Sequence, residues 1–262
     1  MGAPPAPVAA RPDRGVALSG FDAASDPFLR WQLSGSATLH RWDRRDGVAT
    51  LQVGRRGFPV LTVLGSTRAA VEVLPQALRD FEPARVTLPR GALELLAAER
   101  PDIASRIGPG DDWEWMWTDS EPAPTPGEDR VMVVPVPRCD PEIVGLLAAA
   151  SPRHSSAPGS AGVERWLGIR SPQGTLLAVA ANHPFSAGVP HLASIAVHPG
   201  ARGQKLGAAV TAALTRRLLA EGAPVVTLGM YSDNAVARRM YERLGFCCEH
   251  YFSSRQVLSA DP

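Results

Sequence analysis

The stretch HLASIAVHPGARGQKLGAAVTAALTRRLLAEGAP, residues 191–224, decides how this chain is read. His191–Val197 is a short apolar run of strand length, and it ends in the turn signal His198-Pro199-Gly200. From Leu206 to Glu221 the residues Leu206, Val210, Leu214 and Leu218 recur every four positions, which makes one helix stripe, and Gly222 and Pro224 supply the stop. The loop between them contains Arg202-Gly203-Gln204-Lys205-Leu206-Gly207 and then Ala208. Backbone N–H groups at a helix start lack intrahelical partners and sit at the positive end of the helix dipole, so this loop is a ready anion site, to which Arg202 and Lys205 add charge. Gly203 and Gly207 let a ligand approach the backbone closely. The spacing is neither G-x-x-x-x-G-K-[ST] nor G-x-G-x-x-G, which argues against a P-loop nucleotidase or a dinucleotide dehydrogenase.

Working outward, Val225–Gly229 reads as a buried strand, and a helix is expected from Ser232/Asp233, with Val236, Met240 and Leu244 on one stripe and a stop at Gly245. Phe246–Val257 returns as strand. Upstream, Val131–Val136, Arg165–Arg170 and Thr175–Ala181 are strand candidates, and Asp140 is placed to cap a helix through Ala150. The order β-α-β-β-β-α-β-α-β predicts an α/β (α+β) fold, with a mixed, mainly antiparallel sheet flanked by helices.

Asp119–Asp129 is rich in proline and lacks large apolar side chains, so it reads as a linker over residues 119–129 between a domain at 15–118 and one at 130–262, after a loose tail at 1–14. The first half offers strands at Ala37–Trp42, Val48–Val53 and Val60–Leu64, a helix capped by Ser66/Thr67, a strand at Arg85–Leu88 and a helix at Gly91–Glu99. This β-β-β-α-β-α order repeats the middle of the second half, which suggests duplication of the architecture. The first half, however, turns from strand to helix through Gly65-Ser66-Thr67 alone, so anion chemistry is expected only in the second half.

The motif Arg202-Gly-Gln-Lys205-Leu-Gly207 resembles the acyl-CoA loop, Arg/Gln-x-x-Gly-x-Gly/Ala, of the GCN5-related N-acetyltransferase (GNAT) superfamily. Lys205 departs from the glycine usual at its position, where a side chain either crowds the pyrophosphate or adds a cation to it. Independently, Asn234-x-x-Ala237-x-x-x-Tyr241-x-x-x-Gly245-Phe246 looks like the helix that follows in that family. The resemblance implies a tandem acetyltransferase-like chain with a degenerate N-terminal half. It also implies acetyl-CoA as cosubstrate, held by residues 202–208, by the backbone of Ile195, Ala196 and Val197, and by Asn234 and Ala237. Tyr241 corresponds to the family's general acid or thiolate stabiliser, where an isolated tyrosine at helical spacing would read as core filler. His191 stands where related enzymes carry a base, though the position suits an ordinary strand-end histidine equally; His183 and Ser194 are weaker alternatives, and His198 is expected to shape the loop. The activity implied is acetyl transfer to a primary amine of a small molecule or peptide by direct attack, with a non-catalytic acyl-CoA-binding or sensing protein as the alternative.

Composition narrows the partners. The 27 basic and 26 acidic residues nearly cancel, and Lys205 is the only lysine, so nothing points to nucleic acid. No long apolar run or metal-ligand spacing occurs, and three cysteines suit a reducing cytoplasm without a membrane or a metal. Cys247 and Cys248 alternate faces and lack a paired histidine, which argues against thiol catalysis. Trp113, Trp115 and Trp117 alternate with period two, an aromatic face expected to seal the halves together. Arg216-Arg217 and Arg238-Arg239 read as solvated helix faces. The acceptor is expected to meet loops 151–160 and 183–190, with the N-terminal half serving as a wall of that site, a homodimer interface or a scaffold.

Overall fold

The computed structural model of the protein describes residues 21–34, 37–54, 57–135, 140–185 and 188–259. The expected tail at 1–14, residues 15–20, Val136 and Cys139 lie outside them. The strands are β1 (Thr38–Arg44), β2 (Gly47–Val53), β3 (Pro59–Gly65), β4 (Arg85–Pro89), β5 (Ile107–Thr118), β6 (Met132–Val133), β7 (Arg165–Arg170), β8 (Leu176–Asn182), β9 (His191–Val197), β10 (Val226–Tyr231) and β11 (Cys247–Val257). The helices are α1 (Thr67–Asp80), α2 (Ala92–Glu99), α3 (Pro101–Ala104), α4 (Pro141–Ala150), α5 (Leu206–Ala220) and α6 (Ala235–Arg243).

The strands form one sheet in the order β1-β2-β3-β4-β11-β5-β10-β9-β8-β7-β6. Neighbours are antiparallel except β3–β4 and β9–β10. Each of those two pairs is joined by one crossover helix, α1 or α5, the connection a parallel pair needs. The mixed, mostly antiparallel sheet flanked by helices is therefore present. Leu51, Leu61, Val63, Leu74 and Leu88 pack α1 and α2 onto one end of the sheet. Leu167, Ile169, Leu192, Val210, Leu214, Leu228 and Tyr241 pack α5 and α6 onto the other. Ile143, Leu147, Trp166 and Val179 seat α4 on the opposite face of that end.

Several local expectations are corrected. Within the described part of the expected Val131–Val136, β6 spans Met132–Val133, and Pro135 has no N–H with which to extend the ladder. Helix α6 begins two residues later than Asp233 because Asn234 is its cap: Oδ1 accepts from the Ala237 N–H at 3.0 Å. The tryptophan segment is part of the twelve-residue strand β5, inserted between β10 and β11. The sheet thus continues across the expected boundary: β5 precedes the 119–129 segment yet pairs with β10, while β11 pairs with both β4 and β5. Arg216 is not a solvated bystander, since it pins that segment to α5 through Glu121 (2.9 Å), the Pro122 carbonyl (2.8 Å) and Glu128 (3.4 Å).

Candidate active site

Strands β9 and β10 are in register only at His191–Thr227 and Leu192–Leu228. Beyond those pairs they part, and a cleft of about 330 Å³ opens between them. Its walls include Ala193, Ser194 and Ile195 of β9, Gly229, Met230 and Tyr231 of β10, and Asn234, Ala237 and Tyr241. A bulge helps to expose the β9 edge: pairing with β8 is interrupted where Ser194 adopts φ 51°. The Ser194 hydroxyl donates to the Ser156 carbonyl (2.6 Å) and accepts from the Ser156 N–H (3.0 Å), which holds the bulge and pins the 151–160 loop. His183 Nε2–H donates to the Ala161 carbonyl (3.0 Å), so its Nδ1 accepts from the Ser156 hydroxyl (2.5 Å). Ser194 and His183 are thus committed to holding loops, which corrects their standing as base candidates.

The residues of the site divide into three groups. Tyr241 and His191 both line the cleft and are almost buried, at 6% and 8% exposure. Burial pushes the Tyr241 phenol well above its ordinary pKa, so it stays protonated. Thr227 has one hydroxyl proton and gives it to the Pro190 carbonyl (3.0 Å), so its oxygen accepts from His191 Nδ1–H (2.9 Å). That bond fixes the neutral imidazole as the tautomer with its lone pair on Nε2. Phe185 meets the ring edge-on at 4.6 Å. Asn234 and Ala237 line the cleft and are joined as cap and first turn of α6.

The loop residues form the second group. Helices α1, α4 and α6 begin with side-chain caps from Ser66, Asp140 and Asn234, whereas α5 begins at Lys205 with none. The N–H groups of Leu206, Gly207 and Ala208 are therefore left for an outside acceptor. Arg202, Gly203, Gln204 and Lys205 are exposed, and nothing lies within 4 Å of where a Gly203 side chain would stand. Gly207 is needed for packing, because a Cβ there would stand 3.3 Å from Val197 and 3.5 Å from Met240. His198 shapes the preceding turn by accepting from the Gly200 N–H at 3.1 Å. These features suit the diphosphate of a CoA thioester.

The third group was not assigned to the site from the sequence. Arg153 and His154 come from the 151–160 loop, Asp111 and Trp113 from β5, Ser254 from β11 and Arg85 from β4. Arg153 straps the loop across the cleft mouth, pairing with Asp111 (3.2 Å) and Asp233 (2.7 Å) and lying 4.0 Å above the Tyr231 ring. Trp113 packs against Phe252 at the seam, as an aromatic face there predicts, but it also faces the cleft. The signal for Arg153 and His154 was their loop; Arg85 and Asp111 carried none.

Two further charges anchor the site. Arg238 pairs with Glu114 of β5, which is 0% exposed, so the expectation of a solvated Arg238 is corrected. Cys248 lies beside this pair, and burial raises its thiol to about 11, away from thiolate chemistry. Among the described residues no cluster could hold a metal ion, and no helix is long and apolar enough to cross a membrane.

Known proteins fit this geometry. Residues 110–246, more than half the chain, match the model of the "Acetyltransferase (GNAT) family". A mycothiol acetyltransferase of Streptomyces scabiei (strain 87.22) is 46% identical over 52 residues, a match spanning 20% of this chain and 17% of that protein. In fold the chain is similar to a GCN5-related N-acetyltransferase from Kribbella flavida, with a TM-score of 0.55 and 18% identity over 89% of this chain and 95% of that one. It is also similar to one from Sphaerobacter thermophilus, with a TM-score of 0.55 and 16% identity over 80% of this chain and 76% of that one. The parted strands, the open helix start and the 110–246 match together place this chain in the GNAT acetyltransferase family.

Proposed function

We propose that the protein transfers an acetyl group from acetyl-CoA to a primary amine of a small molecule or peptide by direct attack. The observation that carries this reading is the parting of β9 from β10 above a buried, protonated Tyr241. Residues 202–208 would hold the pyrophosphate, the backbone of Ile195, Ala196 and Val197 the pantetheine amides, and Asn234 and Ala237 the arm. When bound, acetyl-CoA supplies an acyl carbon activated as a thioester. A backbone N–H at the Ser194 bulge stabilises the negative charge developing on oxygen. Tyr241 holds the proton that the departing thiolate needs, and Nε2 of His191 accepts the ammonium proton. The cleft walls keep amine and acyl group in attack geometry.

We further read the chain as two copies of one architecture, 15–118 and 130–262 about a 119–129 linker, of which only the second keeps a cofactor loop. Support comes from the matching crossovers β3-α1-β4 and β9-α5-β10. In the first, the Ser66 hydroxyl accepts from the Ala69 N–H (3.1 Å) and closes the helix start that α5 leaves open. A cytoplasmic setting completes the reading.

The test is thiol release from acetyl-CoA across a panel of amines, together with the Kd for acetyl-CoA. Tyr241→Phe should lower turnover about 10²-fold or more while the Kd stays within about two-fold. Binding of acetyl-CoA without transfer to any amine would overturn this reading in favour of an acyl-CoA-binding or sensing protein.

A further inference from the structure

Among the described residues the charges around the cleft are paired with one exception. Arg153 faces Asp111 and Asp233, Arg90 and Arg238 face Glu114, and Arg255 holds Asp112 at 2.7 Å. Arg85 lines the same cleft from β4, half-buried, and no acidic side chain among the described residues pairs with it. It reaches the cleft because β11 and β5 lie between β4 and β10, with Arg85, Thr87, Ser254, Asp111 and Trp113 presented on one face. That row is fixed: Thr87 and Ser254 hydroxyls bond at 2.7 Å, and Trp113 Nε1–H donates to Ser254 at 2.8 Å. At the other end, Arg153 stands against two carboxylates, so that cluster keeps a negative excess.

Resting on the transfer reading above, we propose that Arg85 anchors the acceptor, and that the acceptor is an amine which also carries a carboxylate, such as an amino acid or the free end of a short peptide. The negative cluster attracts the ammonium end toward β9 and β10, while the guanidinium fork matches the planar carboxylate at the β4 end. A phosphate-bearing amine fits less well: among the described residues of the cleft Arg85 is the one cation without an acidic partner, which leaves a dianion under-compensated. Arg85 is a specificity residue, and the N-terminal half supplies the wall that selects the substrate.

The experiment uses the full chain with acetyl-CoA and pairs of acceptors: free amino acids and dipeptides against their carboxamides, plus O-phosphoethanolamine. Each is measured by thiol release and, separately, by calorimetric binding in the presence of CoA. The wild type should prefer the acid over its carboxamide by about ten-fold or more in kcat/KM, mostly through KM. Arg85→Gln should erase that preference, and Arg85→Lys should retain part of it, which guards against a folding artefact. Equal use of acid and carboxamide by the wild type, a preference that survives Arg85→Gln, or a preference for O-phosphoethanolamine would each overturn the proposal. Arg85-dependent binding of the acids without transfer would overturn the transfer reading and keep the subsite. Transfer to amines with no preference for the acid would do the reverse, and neither binding nor transfer would overturn both.

Discussion

Lys205 starts α5 at φ 59° and ψ 14°, a left-handed conformation that costs an L-residue about 1–2 kcal/mol and costs glycine little. Set against the roughly 0.5–1 kcal/mol of extra chain entropy that glycine loses on folding, Lys205→Gly is expected to raise the thermal midpoint by about 2–4 °C. It should also weaken acetyl-CoA binding a few-fold at low salt, with the difference fading as salt rises. Tighter binding by the glycine variant would instead identify the lysine as an obstruction. Tyr241 makes a separate prediction in pH. The unfolded chain releases a phenol proton near pH 10, whereas the buried phenol keeps its own, so folded stability should decline above about pH 10. Tyr241→Phe should lessen that decline in urea titrations. For His191, the expected result of His191→Ala is loss of the acidic limb of the pH–rate profile; a profile that keeps this limb would move the base elsewhere in the cleft, with His154 the next residue to test.

Helix α6 carries Tyr241, and beside its packing an ion pair between Arg238 and the buried carboxylate of Glu114 ties it to β5. Arg238→Ala leaves that carboxylate only Arg90, at 3.8 Å, and a loss toward the low end of about 3–5 kcal/mol is expected in urea unfolding; adding Glu114→Gln should recover much of it. Unchanged stability in Arg238→Ala would mean that packing alone holds the helix. The elements differ in how plainly their residues announce them. His191–Val197 is strand from end to end, and α5 follows its four-residue stripe, because apolar periodicity is a local property. β5 hides its first half, where the run Gly108-Pro-Gly-Asp-Asp112 disfavours a strand and is held there by pairing with β11. His191 was readable as a candidate, but Thr227, which sets its tautomer, stands 36 residues away. Arg85 was unreadable as a site residue because its position depends on two strands inserted between β4 and β10.

At the scale of the whole molecule, the sheet does not divide where the chain does. Residues 130–262 expressed alone would lack β5, the partner of both β10 and β11. Such a fragment is expected to aggregate, and to bind acetyl-CoA only when residues 1–129 are supplied as a second chain; a soluble, binding-competent fragment would contradict this interlocking. The unbroken sheet should also unfold in one cooperative transition, with intrinsic fluorescence and circular dichroism melting together. The interlock also sets a timetable for biosynthesis. Thr87 of β4 and Ser254 of β11 are neighbours in space but 167 residues apart in the chain. At a synthesis rate of about 5–20 residues per second, β4 waits on the order of ten seconds or more for its partner to be made. For that interval the nascent chain displays an unsatisfied strand edge beside the ribosome, exposed to chaperones and to pairing with its neighbours on the same message.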